Sequence, residues 1–187
     1  MQVEERLIKE CIKGDRKAQL RMYDLCYSYM MSICLRYCKD KQEAGARLNL
    51  AFLKVLQHLD QYDHLGSFKG WVGKITVRSI IDEFRSQQKH YQVHVYQGQA
   101  INETDWPHTE LNQIVSDIDM DHLMQHVNQL SSMDRQAFNL FAIDGYSHKE
   151  IASMLNISEG TSKWHVHEAR KKLRESLLKQ YKTASLK

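Results

Sequence analysis

Proline and glycine are scarce in this 187-residue chain, which holds one proline, Pro107, and eight glycines. Few positions therefore interrupt a helix, because these two residues are the strongest helix breakers. Alternating runs of Val, Ile and Thr between turn signals, the pattern of half-buried strands, are also missing. We therefore predict an all-α fold, and the 42% apolar content is enough to build the core of one domain or of two small ones.

Long apolar runs are absent as well. No segment reaches the roughly 18 to 20 consecutive apolar residues that a membrane-spanning helix needs. The first residues include Glu4, Glu5, Arg6 and Lys9, which do not resemble the apolar centre of a signal peptide. We expect a cytoplasmic protein without membrane contact.

The cysteines lack the spacing of a redox or zinc site. All four lie within the first 38 residues and none forms a C-x-x-C pair, so reduced, buried thiols are the simpler interpretation. They are Cys11, Cys26, Cys34 and Cys38.

Histidine offers the best argument for an enzyme. His122 and His126 are four residues apart, and His165 and His167 follow. Two histidines at that spacing can share a metal, but no third ligand or H-E-x-x-H pattern accompanies them. Solvated histidines are favoured over a metal site, and we predict neither enzymatic activity nor a cofactor. A stoichiometric metal assay separates the two interpretations.

Charge is distributed unevenly along the chain. Residues 1–89 hold 16 Lys and Arg against 11 Asp and Glu, residues 90–121 hold none against 6, and residues 122–187 hold 10 against 6. Two basic segments joined by an acidic one suggest two contacts with nucleic acid, although such clusters are often only solvated surface.

Helical periodicity places four helices before residue 89. They cover residues 3–13, a longer helix after Gly14-Asp15, residues 41–59, and a helix after Ser67, which is a candidate cap for its first turn. In the second helix we assign one apolar stripe to the core: Leu20, Tyr23, Tyr27, Met30, Cys34 and Tyr37. The fourth helix is apolar on most of its circumference and should lie at the centre of the domain, with Trp71 in the hydrophobic core.

Residues 90–117 lose periodicity and are predicted to be an extended linker between domains at 1–89 and 118–187. In the second domain, Gly145 is a candidate left-handed helix stop. Ser147 and Glu150 form a capping box, the sequence signature of a helix start. A three-residue turn and a longer basic helix follow. This arrangement predicts a helix-turn-helix, whose second helix enters the DNA major groove.

These segments closely resemble the extracytoplasmic-function sigma factors of bacteria. Region 4 of that family is similar to residues 145–152 (GYSHKEIA), 157–163 (ISEGTSK) and 169–173 (ARKKL), and region 2 is similar to residues 12–19, 33–37, 52–55 and 66–71, with Asp82 and Arg85 beyond. The resemblance implies an alternative sigma factor that binds the β and β′ subunits of core RNA polymerase and promoter DNA. An anti-sigma factor or a DNA-targeting recruitment protein is a further expected partner.

The resemblance also implies three sets of site residues. The polymerase-binding set is Ala46, Asn49, Leu50 and Leu53. The set for the −10 element, where the loop at 61–67 would capture a flipped base, is Tyr62, His64, Lys69, Lys74, Arg78 and Arg85. The set for the −35 element is Ser147, Lys149, Thr161, Lys163, Trp164, His167, Arg170 and Lys171.

Two places depart from the family pattern. Ala46, Asn49 and Leu50 stand where the family carries an acid and a Gln-Glu pair. At about 100° per residue, Ala46, Leu50 and Leu53 predict an apolar outer strip on the third helix. Glu168 replaces an arginine of the recognition helix, and Trp164 replaces a serine. We expect weak binding to isolated duplex DNA, because Glu168 repels phosphate.

Two alternatives to an ordinary sigma factor follow from these departures. One is a helix-turn-helix regulator that no longer engages polymerase. The other is a sigma-like factor that depends on a separate DNA-targeting partner.

Overall fold

The computed structural model describes residues 3–88 and 120–184 of the chain. Those residues form helices and no strand, as the scarcity of helix breakers predicts. The chain divides into two compact units, residues 1–90 and 91–187. The predicted linker at residues 90–117 lies wholly outside the described residues. Within them, no helix has both the length and the apolar character needed to cross a bilayer.

The first unit contains four helices and one 3₁₀ turn. The helices are α1 (Glu5–Ile12), α2 (Arg16–Tyr37), α3 (Lys41–Gln57) and α4 (Phe68–Gln88), and the turn is Leu59–Gln61. Asp15 caps α2 and Asp40 caps α3, each through a side-chain oxygen that accepts a backbone N–H bond. Helix α4 packs on both α2 and α3, so its predicted central position is confirmed.

The core face of α2 differs from the predicted stripe. Met30, Cys34 and Tyr37 are buried as expected, whereas Leu20 is 61% exposed and Tyr27 is 38% exposed. The buried face begins instead with Ala18, Met22 and Cys26. Both sets recur at steps of three and four, so spacing alone does not choose between them. Tyr23, the remaining member of the predicted stripe, is only half-buried.

The four cysteines are free and buried, which confirms the prediction of reduced thiols. Burial raises the pKa of Cys26 and of Cys34 to about 12. Both thiols therefore stay protonated near neutral pH, and neither has the thiolate character that a nucleophile or metal ligand requires.

The second unit contains α5 (Met120–Asn128), α6 (Ser132–Phe138), a π-helical segment (Asn139–Ile143), α7 (His148–Leu155) and α8 (Glu159–Ala184). Val127 and Leu130 pack with Ala169 and Leu173 of α8. Gly145 adopts φ +75°, which confirms the predicted left-handed stop. Its lack of a side chain allows this conformation at little cost.

Candidate nucleic-acid and polymerase interfaces

The outer face of α3 carries an exposed apolar strip formed by Ala46, Leu50 and Leu53. Leu50 is 48% exposed and Leu53 is 52% exposed. At about 100° per residue, these positions lie opposite the buried face of α3. The strip predicted from the sequence is therefore present on the surface of the first unit.

Asn49 lies beside this strip but is engaged with α2. Its Oδ1 atom accepts a hydrogen bond of 3.0 Å from the hydroxyl of Tyr23. Tyr23 in turn packs edge-on against Phe52, with ring centroids 5.0 Å apart. The strip consequently offers apolar contact through its two leucines, while the Asn49 carbonyl is partly satisfied within the fold.

The loop before α4 is held together by local hydrogen bonds. The Tyr62 hydroxyl donates to the carbonyl of Gly66 at 2.7 Å, and Asp63 Oδ1 accepts from the backbone N–H of Leu65 at 3.0 Å. Tyr62 packs against His64, Phe68 and Trp71, with ring centroids 4.6 to 5.4 Å apart. Tyr62 is half-buried and His64 is exposed, so the loop presents a fixed aromatic cluster.

Helix α4 begins at the predicted cap, and its exposed face is basic. Ser67 Oγ accepts a hydrogen bond of 3.0 Å from the N–H of Gly70. Beyond this turn, Lys74 and Arg78 are exposed and Arg85 is half-buried. At about 100° per residue, these three cations share one face.

The assignment of Trp71 to the core needs correction, whereas the DNA contact predicted for Lys69 stays a prediction. Trp71, assigned to the core, is half-buried and lies on the same helix face as Lys74 and Arg78. Lys69 lies on the other side of α4, with its Nζ atom 4.8 Å from the centroid of the Tyr29 ring. The basic face therefore includes the Trp71 ring, which the stripe pattern assigned to the core. It does not include Lys69.

A cavity of about 410 Å³ opens beside this basic face. Trp71 and Ile75 supply apolar surface to it, and Arg78 and Gln61 line its edge. Lys54 and Asp82, also in the lining, form an ion pair of 3.3 Å. The other lining residues are polar or charged, so the cavity continues the polar surface of α4. Sequence reasoning missed this cavity, although the spacing of Trp71, Ile75, Arg78 and Asp82 could have indicated it.

In the second unit, the capping box at the start of α7 is confirmed. Ser147 N–H donates to Glu150 Oε2 at 2.8 Å, and Ser147 Oγ accepts from Glu150 N–H at 3.3 Å. The side-chain and backbone hydrogen bonds from Ser147 also lower the pKa of Glu150. Lys149 is exposed in this first turn. Ser147 therefore has a structural role whether or not it also contacts DNA.

A left-handed residue and a second cap connect α7 to α8. Asn156 adopts φ 55° and ends α7. Ser158 Oγ then accepts from the N–H of Thr161 at 3.0 Å, and the two hydroxyl oxygens lie 2.8 Å apart. This tight turn produces the predicted helix-turn-helix.

Helix α8 has one buried face and one outward face. The buried face includes Ser162, Val166, Ala169 and Leu173. At about 100° per residue, the side chains between Thr161 and Lys172 that point most nearly away from it are Trp164, Glu168 and Lys171. Lys171 is exposed, and Trp164 and Glu168 are half-buried. His167, also half-buried, borders this outward face.

Lys163 and Arg170 lie on a flank of α8 and not on its outward face. Arg170 is only about 60° from the centre of the buried face, and its guanidinium lies 5.3 Å from the centroid of the Phe141 ring. Phe141 stacks on His148 at 4.4 Å, and His148 Nδ1 lies 3.0 Å from Ser162 Oγ. These contacts join the π-helical segment, α7 and α8 around Arg170.

The opposite flank of α8 is tied to a buried carboxylate. Asp134 is 2% exposed, and its two oxygens lie 2.7 Å from His165 Nδ1 and 2.7 Å from Lys172 Nζ. Burial raises the pKa of Asp134, but hydrogen bonds from His165, Lys172 and Ser131 outweigh it and lower the pKa to about 2. The carboxylate is therefore ionised and fixes α8 against α6.

Two of the histidines considered as metal ligands make hydrogen bonds within the second unit. His126 Nδ1 lies 2.6 Å from Ser176 Oγ, and His165 binds Asp134. The side chain of His122 lies outside the described residues. In the described ranges, no three potential ligands cluster as a metal site would require.

Comparison with known families identifies both units. The family profile for sigma-70 region 2 matches residues 22–90, and the profile for sigma-70 region 4 matches residues 121–173. Together they cover well over half of the chain, one in each compact unit.

Relatives and a solved structure agree with these matches. The ECF RNA polymerase sigma factor SigW of Bacillus subtilis is 27% identical, covering 91% of this chain and 94% of SigW. SigM of the same organism is 24% identical, covering 86% of this chain and 92% of SigM. The sigma factor RpoE of Bartonella quintana, solved with the anti-sigma factor NepR, shares the fold with a TM-score of 0.50 and 19% identity, covering 85% of this chain and 95% of that one. The chain belongs to the sigma-70 family, in its extracytoplasmic-function group.

Proposed function

We propose that this protein directs core RNA polymerase to promoters, with its first unit binding polymerase and the melted −10 strand and its second unit binding the −35 duplex. The observation that carries the proposal is the presence of both sigma regions in one chain, each with an exposed surface suited to its partner.

The apolar strip of α3 is the proposed polymerase surface. Leu50 and Leu53 expose about half of their side chains to water, and burying a leucine fully is worth about 1.5 to 3 kcal/mol. Family members use charged groups at corresponding positions. The strip therefore fits a polymerase surface that is itself apolar where it meets α3.

The basic face of α4 and its cavity are the proposed −10 surface. An unstacked base could lie against Trp71, since aromatic rings bind nucleobases through stacking worth about 1 to 3 kcal/mol per base. Lys74, Arg78 and Arg85 would attract the phosphates of the same strand. Tyr62 and His64 in the neighbouring loop complete a surface that binds single-stranded DNA.

The outward face of α8 is the proposed −35 surface, because the second helix of a helix-turn-helix enters the major groove. Lys163 and Arg170, on the flank, are better placed for phosphates than for base edges. Lys149 and Ser147 at the start of α7, together with Thr161, His167 and Lys171, remain the other predicted contacts. An anti-sigma factor is a further candidate partner, since RpoE of Bartonella quintana was solved with one.

The proposal is tested by binding to core polymerase purified from the source organism. Leu50→Asp should weaken the complex by about 2 kcal/mol, or roughly 30-fold in Kd, because an unpaired charge becomes buried in the interface. Leu35→Asp is the matched control, since Leu35 is 40% exposed on the side of α2 that faces away from the core.

The outcomes separate the proposal from its alternatives. Binding by the parent and Leu35→Asp, with loss in Leu50→Asp, supports the strip as the interface. Equal binding by all three proteins removes the strip from the interface. If the parent binds duplex DNA but no polymerase, the chain is a helix-turn-helix regulator.

A further inference from the structure

Glu168 is an acidic residue on the proposed −35 surface, the outward face of α8, which also carries Trp164 and Lys171. It lies about 140° from the centre of the buried face of α8, between Trp164 and Lys171 on the outward side. A carboxylate at this position opposes phosphate binding, because the DNA backbone carries one negative charge per about 1.7 Å of helix axis. A carboxylate at this position would therefore bind a hydrogen-bond donor and not a phosphate group.

The Glu168 carboxylate has no strong partner among the described residues. It makes no hydrogen bond or ion pair there. The pKa of Lys172 is raised mainly by the hydrogen bond to Asp134, and the charge of Glu168 adds a smaller contribution. Lys172 is already bonded to Asp134 at 2.7 Å. The oxygens of Glu168 are therefore available as hydrogen-bond acceptors at the surface.

An ionised carboxylate accepts hydrogen bonds and cannot donate them. In the major groove the donors are the N4 amino group of cytosine and the N6 amino group of adenine. Adenine also presents the N7 acceptor beside its amino group, which repels a carboxylate, whereas cytosine does not. Cytosine is therefore the base that Glu168 fits best.

We propose that Glu168 is a specificity-determining residue that accepts a hydrogen bond from the N4 amino group of a cytosine in the −35 element. This inference rests on the proposed function of the second unit as a duplex-binding module. Trp164, one turn earlier on the same face, lies where it would contact a neighbouring thymine methyl group. A recognition helix with glutamate at position 168 then binds a different DNA sequence from one with arginine at that position.

The experiment is a binding selection with the full chain alone, on duplex DNA with a randomised central segment, at low salt. Bound DNA is sequenced for the parent, Glu168→Gln and Glu175→Gln. Glu175 is exposed, lies two turns further along α8 on nearly the same face, and controls for the loss of one negative charge.

The parent and Glu175→Gln should enrich a cytosine at one position about tenfold over other bases, since a specific base contact discriminates by about 1 to 3 kcal/mol. Glu168→Gln should shift that position toward adenine, because glutamine pairs with adenine N6 and N7. Glu168→Arg should instead bind unselected duplex more tightly and with a steeper salt dependence, by about one phosphate contact.

Identical enrichment by the parent and Glu168→Gln, or no enrichment by the parent, overturns the inference. Failure of the proposed function is scored separately, as the absence of a complex with core polymerase. A chain that binds no polymerase yet shows a cytosine preference dependent on Glu168 keeps this inference and loses the sigma-factor proposal.

Discussion

Asp134 joins two helices of the second unit through a single buried carboxylate, with partners 31 and 38 residues away along the chain. Its position decides how α8 is held against α6. Hydrogen bonds to charged groups contribute more than neutral ones, typically about 1.5 to 3 kcal/mol each. The contact is therefore large enough to measure on its own.

Asp134→Asn should lower the free energy of unfolding by about 2 kcal/mol at pH 7. The folded-state pKa of Asp134 is lowered from 3.8 to about 2. Its carboxylate therefore stabilises the fold above pH 3.8, and this contribution is lost as the pH falls from 3.8 toward 2. Urea denaturation at a series of pH values measures the effect.

The difference between the parent and Asp134→Asn should shrink below about pH 4. Glu175→Gln, which removes an exposed charge from α8, should show little change at any pH. A difference of constant size from pH 7 to pH 3 would mean that the Asp134 carboxylate does not contribute in its ionised form.

Single residues were predictable from the sequence where their role is local. The cap at Ser67, the capping box at Ser147 and the stop at Gly145 depend on neighbours within a few residues, so their chemistry is visible in the sequence. The pairing of Asp134 with His165 depends on tertiary packing, and nothing in the sequence indicates it. The spacing of Trp71 is compatible with a core position and with a surface position, because α4 is apolar on most of its circumference.

At the scale of the element, the start of α7 sets the geometry of the helix-turn-helix. Ser147 and Glu150 satisfy each other's backbone N–H groups, and the N-terminal turn of α7 would otherwise leave these donors open. The helix has only eight residues, too short to be stable by itself in water. The cap and the packing against α8 therefore both contribute to its formation.

Ser147→Ala should lower the free energy of unfolding by about 1 kcal/mol, the usual cost of losing a side-chain N-cap. Ser147→Thr should recover most of it, because its hydroxyl can accept the same bond. Thermal and urea unfolding followed by circular dichroism compares the three proteins. If alanine and threonine are equally stable, the capping box does not stabilise α7.

The element scale also shows where periodicity is an incomplete guide. Helix α2 has two apolar stripes, and the buried one carries small and flexible side chains such as Ala18, Met22 and Cys26. The segment Asn139–Ile143 is π-helical, although its apolar spacing also fits an α-helix. Spacing located these helices well, but their packing determined which face is buried.

At the scale of the molecule, the two units each have a separate core. The boundary between the two units lies between residues 90 and 91, within the segment that the sequence predicts as an acidic linker. The proposed domains at 1–89 and 118–187 and the linker at 90–117 stay predictions. The sequence could indicate two units because composition changes sharply, from basic to acidic and back to basic.

Fragments 1–90 and 118–187 should each unfold in one cooperative transition, because each holds its own buried helices. Circular dichroism in increasing urea tests this with the two fragments and the full chain. Fragment 1–90 should also retain polymerase binding and its sensitivity to Leu50→Asp. A fragment that lacks a cooperative transition would show that its core depends on the other unit.

Transcription in vitro with core RNA polymerase from the source organism tests the central claim most directly. Genomic DNA is transcribed with core polymerase alone, with the parent protein, and with Leu50→Asp, and the 5′ ends of the RNA are mapped. We predict discrete new start sites that require the parent protein and are strongly reduced with Leu50→Asp. Transcripts that are the same with and without the parent protein would contradict the assignment of this chain as an active sigma factor.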